Sequence, residues 1–126
     1  MKFWLSLEQE IIKAKQENCC VLIEMDTNAK LEICGLQKLS ENGRRMLEMS
    51  RRLNLTILNN AAVCKGTITR QRILKNREEK SVLDYILVCD ILTNYVTSML
   101  IDEERLLVVW KYSSWHQGLA SLSGLS

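Results

Sequence analysis

The strongest constraint on this chain is a pair of apolar runs that each carry or adjoin a carboxylate. The first run, residues 20–25, leads directly into Asp26 and Asn28. The second run, residues 81–88, contains Asp84. Continuous apolar runs of this kind suit strands that are covered on both faces, and open α/β sheets bind ligands at the carboxyl ends of their strands. The pattern therefore predicts an α/β fold with a phosphate or metal site, and it points to phosphodiester chemistry.

The composition is that of one ordinary globular domain. The chain has 126 residues, of which 47% are hydrophobic and 25% are charged. This length and this apolar content are sufficient for a single core. We predict one domain over residues 1–112 and a loosely ordered tail over residues 113–126, where small and polar residues predominate.

Cysteine usage and the N-terminus favour an intracellular protein, in the nucleus or the cytoplasm. The five cysteines form no C-x-x-C pair and the chain has one histidine. Reduced thiols therefore fit better than a zinc site. The first apolar residues are too few for a signal peptide, and no run is long enough to cross a bilayer. We expect no membrane partner and no secretion.

The charge is small in total but unevenly placed. The net charge is +2, yet residues 65–80 hold six basic side chains against two acidic ones. A stretch of this kind can follow a phosphate backbone without reading its sequence, which makes Arg70, Arg72 and Lys75 candidate nucleic-acid contacts. A solvated hairpin with ordinary surface charges explains the same residues equally well.

Periodicity predicts alternating helices and strands. Apolar spacings of three and four predict a helix from Trp4 to Gln16 with a capping box at Ser6, and a second helix that opens at Ser40. Residues 26–39 are predicted to be a loop that turns at Gly35. An antiparallel hairpin is predicted from strands 67–73 and 82–89, with residues 75–80 as its connection. The other predicted strands are residues 19–25, 55–59, 96–101 and 106–112. The expected fold is a mixed, mostly antiparallel sheet with helices on one face.

A set of short motifs in one order carries a family resemblance. The motifs are Asp26-Thr27-Asn28-Ala29, Asn42-Gly43, Leu53-x-Leu55-Thr56-Ile57-Leu58-Asn59, Gly66-Thr67-Ile68-Thr69-Arg70 and Ser81-Val82-Leu83-Asp84-Tyr85-Ile86. Together they resemble the second half of an endonuclease/exonuclease/phosphatase domain, in particular the apurinic-type endonuclease domains of non-LTR retroelements. The resemblance implies half of a four-layer α/β sandwich. It also implies a Mg²⁺-dependent phosphodiester hydrolase that acts on DNA when complete.

The resemblance assigns catalytic roles to three residues. Asp26 matches the Asp that orients and deprotonates the attacking water, and Asn28 matches the Asn that donates a hydrogen bond to the scissile phosphate. Asp84 matches the Asp that holds a catalytic histidine in one tautomer. Met25 stands where the family has glycine, which would narrow the approach to the phosphate.

Two departures from the family pattern divide the functional interpretation. The family's metal-binding Glu belongs to a first half that nothing before Trp4 supplies, so no metal ligand is assigned. Ser114-Trp115-His116 stands where the family has Ser-Asp-His. The first interpretation is a partial endonuclease-like domain that is inactive as this fragment. The alternatives are a non-catalytic remnant that serves as a nucleic-acid or protein interaction module, and a phosphatase-like relative.

Simpler structural explanations exist for the same residues. An Asp-x-Asn trio after a strand is usually an Asx turn, and Asn59 is more often a turn residue than a ligand. Asp84 has a possible salt-bridge partner in Arg70 or Arg72 of the predicted hairpin.

The missing half of the sandwich has a structural consequence. It would leave one face of the sheet uncovered, including parts of the strands around Val21 and Ile86. Large exposed apolar patches are rare on monomers, so the chain is expected to self-associate through that face.

Overall fold

The computed structural model describes residues 2–26, 28–33 and 36–112, and along them helices and strands alternate as an α/β fold. The helices are α1 (Lys2–Gln16), α2 (Glu41–Arg52) and α3 (Asp90–Thr93), with a 3₁₀ turn at Leu58–Asn60. The strands are β1 (Leu22–Asp26), β2 (Leu55–Ile57), β3 (Cys64–Lys65), β4 (Arg70–Leu74), β5 (Arg77–Ser81), β6 (Asp84–Cys89), β7 (Val96–Asp102) and β8 (Leu107–Tyr112).

The central element is β6, which lies between β1 and β2 and is antiparallel to both. Every residue of β6 after Asp84 is buried, which explains why the strand is a continuous apolar run. Because β1 and β6 are antiparallel, the end of β1 meets the start of β6. The register therefore places Asp26 directly opposite Asp84.

The two faces of this sheet have different neighbours. Residues that lie opposite each other in an antiparallel pair share a face, so Glu24 and Asp26 lie on the same side as Asp84. On that side the indole nitrogen of Trp110 in β8 donates to the Glu24 carboxylate at 2.9 Å. On the other side the Tyr85 hydroxyl accepts a hydrogen bond from the loop that precedes α2.

The two longer helices form one layer, as the sequence predicts. The Trp4 indole donates to the Asn42 side chain at 3.3 Å, and α2 packs against β2. Ser40 caps α2 as predicted, because its hydroxyl accepts from the Gly43 amide at 3.0 Å. A Cβ at Gly43 would overlap the carbonyl oxygen of Lys30. The Asn42-Gly43 motif is thus explained by a close approach of the loop to the first turn of α2.

A second sheet has the order β3-β7-β8, with β3 parallel to β7 and β8 antiparallel to it. Its outer face carries three exposed apolar side chains, which belong to Leu100, Leu107 and Val109. The prediction of an uncovered face near Val21 and Ile86 is wrong, because these residues are only 0% and 3% exposed. The face that carries Glu24 and Ile86 is covered by the second sheet, whose Trp110 contacts Glu24, and the exposed apolar surface lies on β7 and β8 instead.

The basic segment forms a hairpin of its own. β4 pairs with β5 around a two-residue turn in which Lys75 and Asn76 have positive φ angles of 47° and 65°. Positive φ at both central residues is the requirement of the commonest hairpin turn. The predicted pairing of residues 67–73 with 82–89 is therefore wrong, since the charged segment 77–81 is the partner strand and not a connection.

The ends of α1 also differ in part from expectation. The helix begins at Lys2, so Ser6 lies inside it and makes no capping box. It ends at Gln16 as predicted, and Asn18 just beyond it has a φ of 61°, which does not continue a helix. Gly35 and the predicted tail at 113–126 lie outside the described residues. In the described part of the chain, no helix has both the length and the apolar character needed to span a membrane.

Gly43→Ala is expected to destabilise the fold. At an ordinary helical position this change stabilises by about 0.5–1 kcal/mol, but here the added Cβ meets the Lys30 carbonyl. Overpacking against backbone should cost about 1–3 kcal/mol in the free energy of unfolding, measured by urea denaturation. Arg51→Ala, an exposed change on the same helix, is the control. A stabilised Gly43→Ala variant would contradict the packing described for this turn.

Candidate functional site

Two carboxylates meet at one rim of the central sheet. Asp26 is the last residue of β1, Asp84 is the first residue of β6, and the two are direct register partners. Asp26 is exposed and Asp84 is partly buried. Both line an open cleft of about 340 Å³ whose opposite wall comes from Leu106, Leu107 and Val108. The fold thus joins two acids that are far apart in the sequence.

The Asp84 end of the site is held by Thr69. The Thr69 hydroxyl oxygen accepts hydrogen bonds from the Leu83 amide at 2.9 Å and the Asp84 amide at 3.2 Å. The same hydroxyl is hydrogen-bonded to the Asp84 carboxylate. Thr69 is only 5% exposed. One buried hydroxyl therefore fixes both the backbone and the side chain of Asp84 before any ligand arrives.

Asn59 holds β6 from the other side. Its amide nitrogen donates to the Asp84 carbonyl oxygen at 3.0 Å, and its amide oxygen accepts from the Ile86 amide at 3.1 Å. The expectation that Asn59 is a turn residue is therefore incomplete, because it also bridges to the backbone of β6. Asn59 and Thr69 both belong to motifs that the sequence singles out, but their spacing does not reveal which strand they contact.

The local environment changes the proton affinity of Asp84. Partial burial raises the pKa of Asp84 above the ordinary aspartate value, and the neighbouring Asp26 adds to the rise. The hydrogen bond from Thr69 and the attraction of Arg70 lower the same pKa, but they do not cancel the effect of burial. Asp84 thus holds a proton more readily than an ordinary aspartate, as acids in functional clefts often do.

The other predicted site residues are less closely gathered. Asn28 is exposed with a φ of 54°, and it is not among the described residues that line the cleft. Arg70 lies near enough to Asp84 to act on it electrostatically. Arg72 pairs with Glu79 at 3.0 Å, which identifies its salt-bridge partner, and Lys75 lies at the turn of the β4–β5 hairpin. The structure thus brings Asp26, Asp84 and Arg70 near one another, whereas Arg72 and Lys75 lie farther along the hairpin.

The two carboxylates do not by themselves complete a metal site. Over residues 2–26, 28–33 and 36–112, no group of three or more Asp, Glu, His or Cys side chains is placed to hold a metal ion. Magnesium uses one or two protein carboxylates together with waters and substrate phosphates. Asp26 and Asp84 are carboxylates, as such a site requires. However, Asp84 is hydrogen-bonded to Thr69, and the nearby Glu24 is hydrogen-bonded to Trp110.

Comparison with known proteins identifies the fold. No protein-family model matches the chain, and no curated protein matches it. Among solved structures, the endonuclease domain of TRAS1, a telomere-specific non-LTR retrotransposon, is similar with a TM-score of 0.67 and 18% sequence identity. The match covers 88% of this chain and 52% of that one. The chain therefore has the fold of a retroelement endonuclease domain, which confirms the predicted fold, and it spans about half of that domain's length.

Asp84→Asn is expected to remove a pH-dependent cost to folding. The raised pKa of Asp84 means that the folded state binds a proton more tightly than the unfolded state. Stability therefore falls as pH rises from the ordinary aspartate pKa through the raised one. The variant should lack this fall, and it should be more stable than the wild type at neutral pH in urea denaturation. Asp90→Asn, at the exposed first residue of α3 directly after β6, is the control. A wild-type pH profile in Asp84→Asn would show that Asp84 is not the group responsible.

Proposed function

We propose that this chain is part of a Mg²⁺-dependent phosphodiester hydrolase of the endonuclease type, which acts on DNA. The observation that carries the proposal is the pairing of Asp26 with Asp84 at the rim of a cleft. The fold that brings them together resembles a retrotransposon endonuclease domain. A carboxylate pair at strand ends suits a reaction in which one acid handles a proton and the other orients a partner.

The catalytic roles follow from the environment of each side chain. Asp26 is exposed, so it can orient a water molecule beside the phosphate and accept its proton. Asp84 is fixed by Thr69, so it suits an orienting role, in which it accepts a hydrogen bond from a general acid and holds that group in one tautomer. Asn28 is exposed two residues beyond Asp26, where its amide can donate to a phosphate oxygen.

The basic hairpin favours a polynucleotide over a small phosphoester. β4 begins at Arg70, beside Asp84, and runs five residues to the turn. A strand of that length extends about 17 Å, which is enough to follow several nucleotides. Arg70, Arg72 and Lys75 would contact backbone phosphates, and such contacts position a duplex without reading its sequence. A nucleic-acid substrate also fits an intracellular location.

Magnesium belongs to the proposal for the complete domain. A bound cation would neutralise charge that develops on the phosphate. None of the described carboxylates is assigned to the cation, because Asp26 is proposed to act on the attacking water and Asp84 is held by Thr69. The metal ligands are proposed to come from the half of the TRAS1 fold that this chain does not match. With no group of three metal ligands among the described residues, this chain is expected to have little activity by itself.

The second candidate function is a non-catalytic interaction module. It is favoured by the same shortage of metal ligands in the described part of the chain. The exposed side chains of Leu100, Leu107 and Val109 offer a surface for self-association. A preparation that stays monomeric in sedimentation at all concentrations would exclude self-association as the use of this surface.

Asp26→Ala should abolish any Mg²⁺-dependent nicking of plasmid DNA. Loss of a positioned acid or base lowers a rate by about 10²–10⁴-fold, so the weak nicking expected of the wild type would fall to background. Asp90→Ala removes an exposed acid at the start of α3, beyond the other end of β6, and should behave as the wild type does. Equal rates for the wild type and Asp26→Ala would leave the interaction module as the better description of this chain.

Arg70→Ala and Arg72→Ala should weaken DNA binding independently of cleavage. Each lost phosphate contact reduces the dependence of log affinity on log salt by about 0.9. The measurement is fluorescence anisotropy of a labelled duplex at several salt concentrations. Arg51→Ala on the exposed side of α2 removes the same charge at a distance from the hairpin. An equal loss in all three variants would assign the effect to net charge and not to the hairpin.

A further inference from the structure

A carboxylate of this chain occupies a ready-made anion site. Glu103 lies in the turn between β7 and β8, and its Oε2 accepts from the backbone amides of Thr67 at 2.8 Å and Ile68 at 2.9 Å. Successive backbone N–H groups that converge on one oxygen form a nest, which is an anion-binding arrangement in many phosphate sites. These two bonds lower the pKa of Glu103, that from Ile68 most. The nest therefore favours negative charge.

The shape of the nest does not depend on Glu103 alone. Gly66, directly before it, has a φ of 93°, and a Cβ there would overlap the carbonyl oxygen of Ile101 in β7. This close packing fixes the backbone from which the two N–H groups project. Thr67 is exposed and Ile68 is half-buried, so the nest lies at the surface. An external anion can reach it when the Glu103 carboxylate moves away, and Gly66 keeps the backbone in place.

The surroundings of the nest suit a phosphate. Lys80 lies close enough to attract the Glu103 carboxylate, and it would attract a phosphate in the same position. Thr69 follows the nest directly and reaches the Asp84 carboxylate. The nest therefore directly precedes the residue that supports Asp84.

We propose that the backbone amides of Thr67 and Ile68 form a subsite for a backbone phosphate of a polynucleotide, which Glu103 occupies as an internal competitor when no nucleic acid is bound. The choice of a polynucleotide as ligand rests on the proposed function, whereas the anion affinity of the nest does not. A tethered carboxylate acts at an effective concentration in the millimolar range. Glu103 therefore suppresses weak anions and yields to a ligand that is also held by the hairpin.

The test is titration with inorganic phosphate at fixed pH and ionic strength, followed through the NMR shifts of the Thr67 and Ile68 amides. Removal of the competitor should tighten phosphate binding by about tenfold in Glu103→Ala, with a smaller gain in Glu103→Gln. Glu104→Ala removes a neighbouring exposed acid and should bind phosphate as the wild type does. Equal affinity in all three variants, or shifts confined to other amides, would overturn the proposal.

Two further arms make the outcome decisive. If Glu103→Ala loosens the loop and its amide signals are lost, Glu103→Gln decides, because it keeps the side-chain length and a neutral acceptor. A short single-stranded oligonucleotide should shift the same two amides and bind more tightly to both Glu103 variants. Phosphate binding without this oligonucleotide effect would overturn the assignment to nucleic acid. Tighter DNA binding by Glu103→Gln would sustain the subsite even if Asp26→Ala left nicking unchanged.

Discussion

The register between β1 and β6 is the constraint on which the rest of this structure depends. It sets Asp26 opposite Asp84, and like charges in that relation destabilise a sheet. A shift of one residue would turn the apolar residues of β6 away from their present neighbours. The hydrophobic core therefore fixes the register, and the register places the two acids. The strain is limited because Asp26 is exposed and Thr69 supports Asp84.

Much of the fold could be predicted because its core strands are continuous apolar runs in the sequence. The runs at 20–25 and 81–88 give β1 and β6, and Ser40 gives the start of α2. A strand over residues 67–73 is predicted and overlaps β4, but its pairing with β5 is not predicted because β5 is charged at four of its five positions and resembles a polar connection. Its only local indication is Asn76, which tolerates the left-handed turn conformation. The location of the exposed apolar face was also mispredicted, since it depends on how two sheets pack.

Part of the site could likewise be predicted from local sequence, whereas the rest depends on tertiary contacts. Asp26 and Asp84 could be identified because each adjoins or interrupts an apolar run. A carboxylate buried within such a run is costly unless it is paired or hydrogen-bonded, so its presence marks a specific role. The contacts of Thr69 and Asn59 could not be predicted, because each reaches a strand that is 15 or 25 residues away in sequence. A motif can identify such residues as noteworthy, but only the folded chain shows that both hold the start of β6.

The segment 66–70 connects the two backbone amides that hold Glu103 with the start of β6. Gly66 anchors it to β7, Thr67 and Ile68 present two amides, and Thr69 supports Asp84. The two carboxylates at its ends have pKa values displaced in opposite directions, upward for Asp84 through burial and downward for Glu103 through backbone hydrogen bonds. One short segment thus favours a proton at one end and a negative charge at the other. That polarity suits the proposed roles, in which Asp84 orients a proton donor and the amides of Thr67 and Ile68 bind a phosphate.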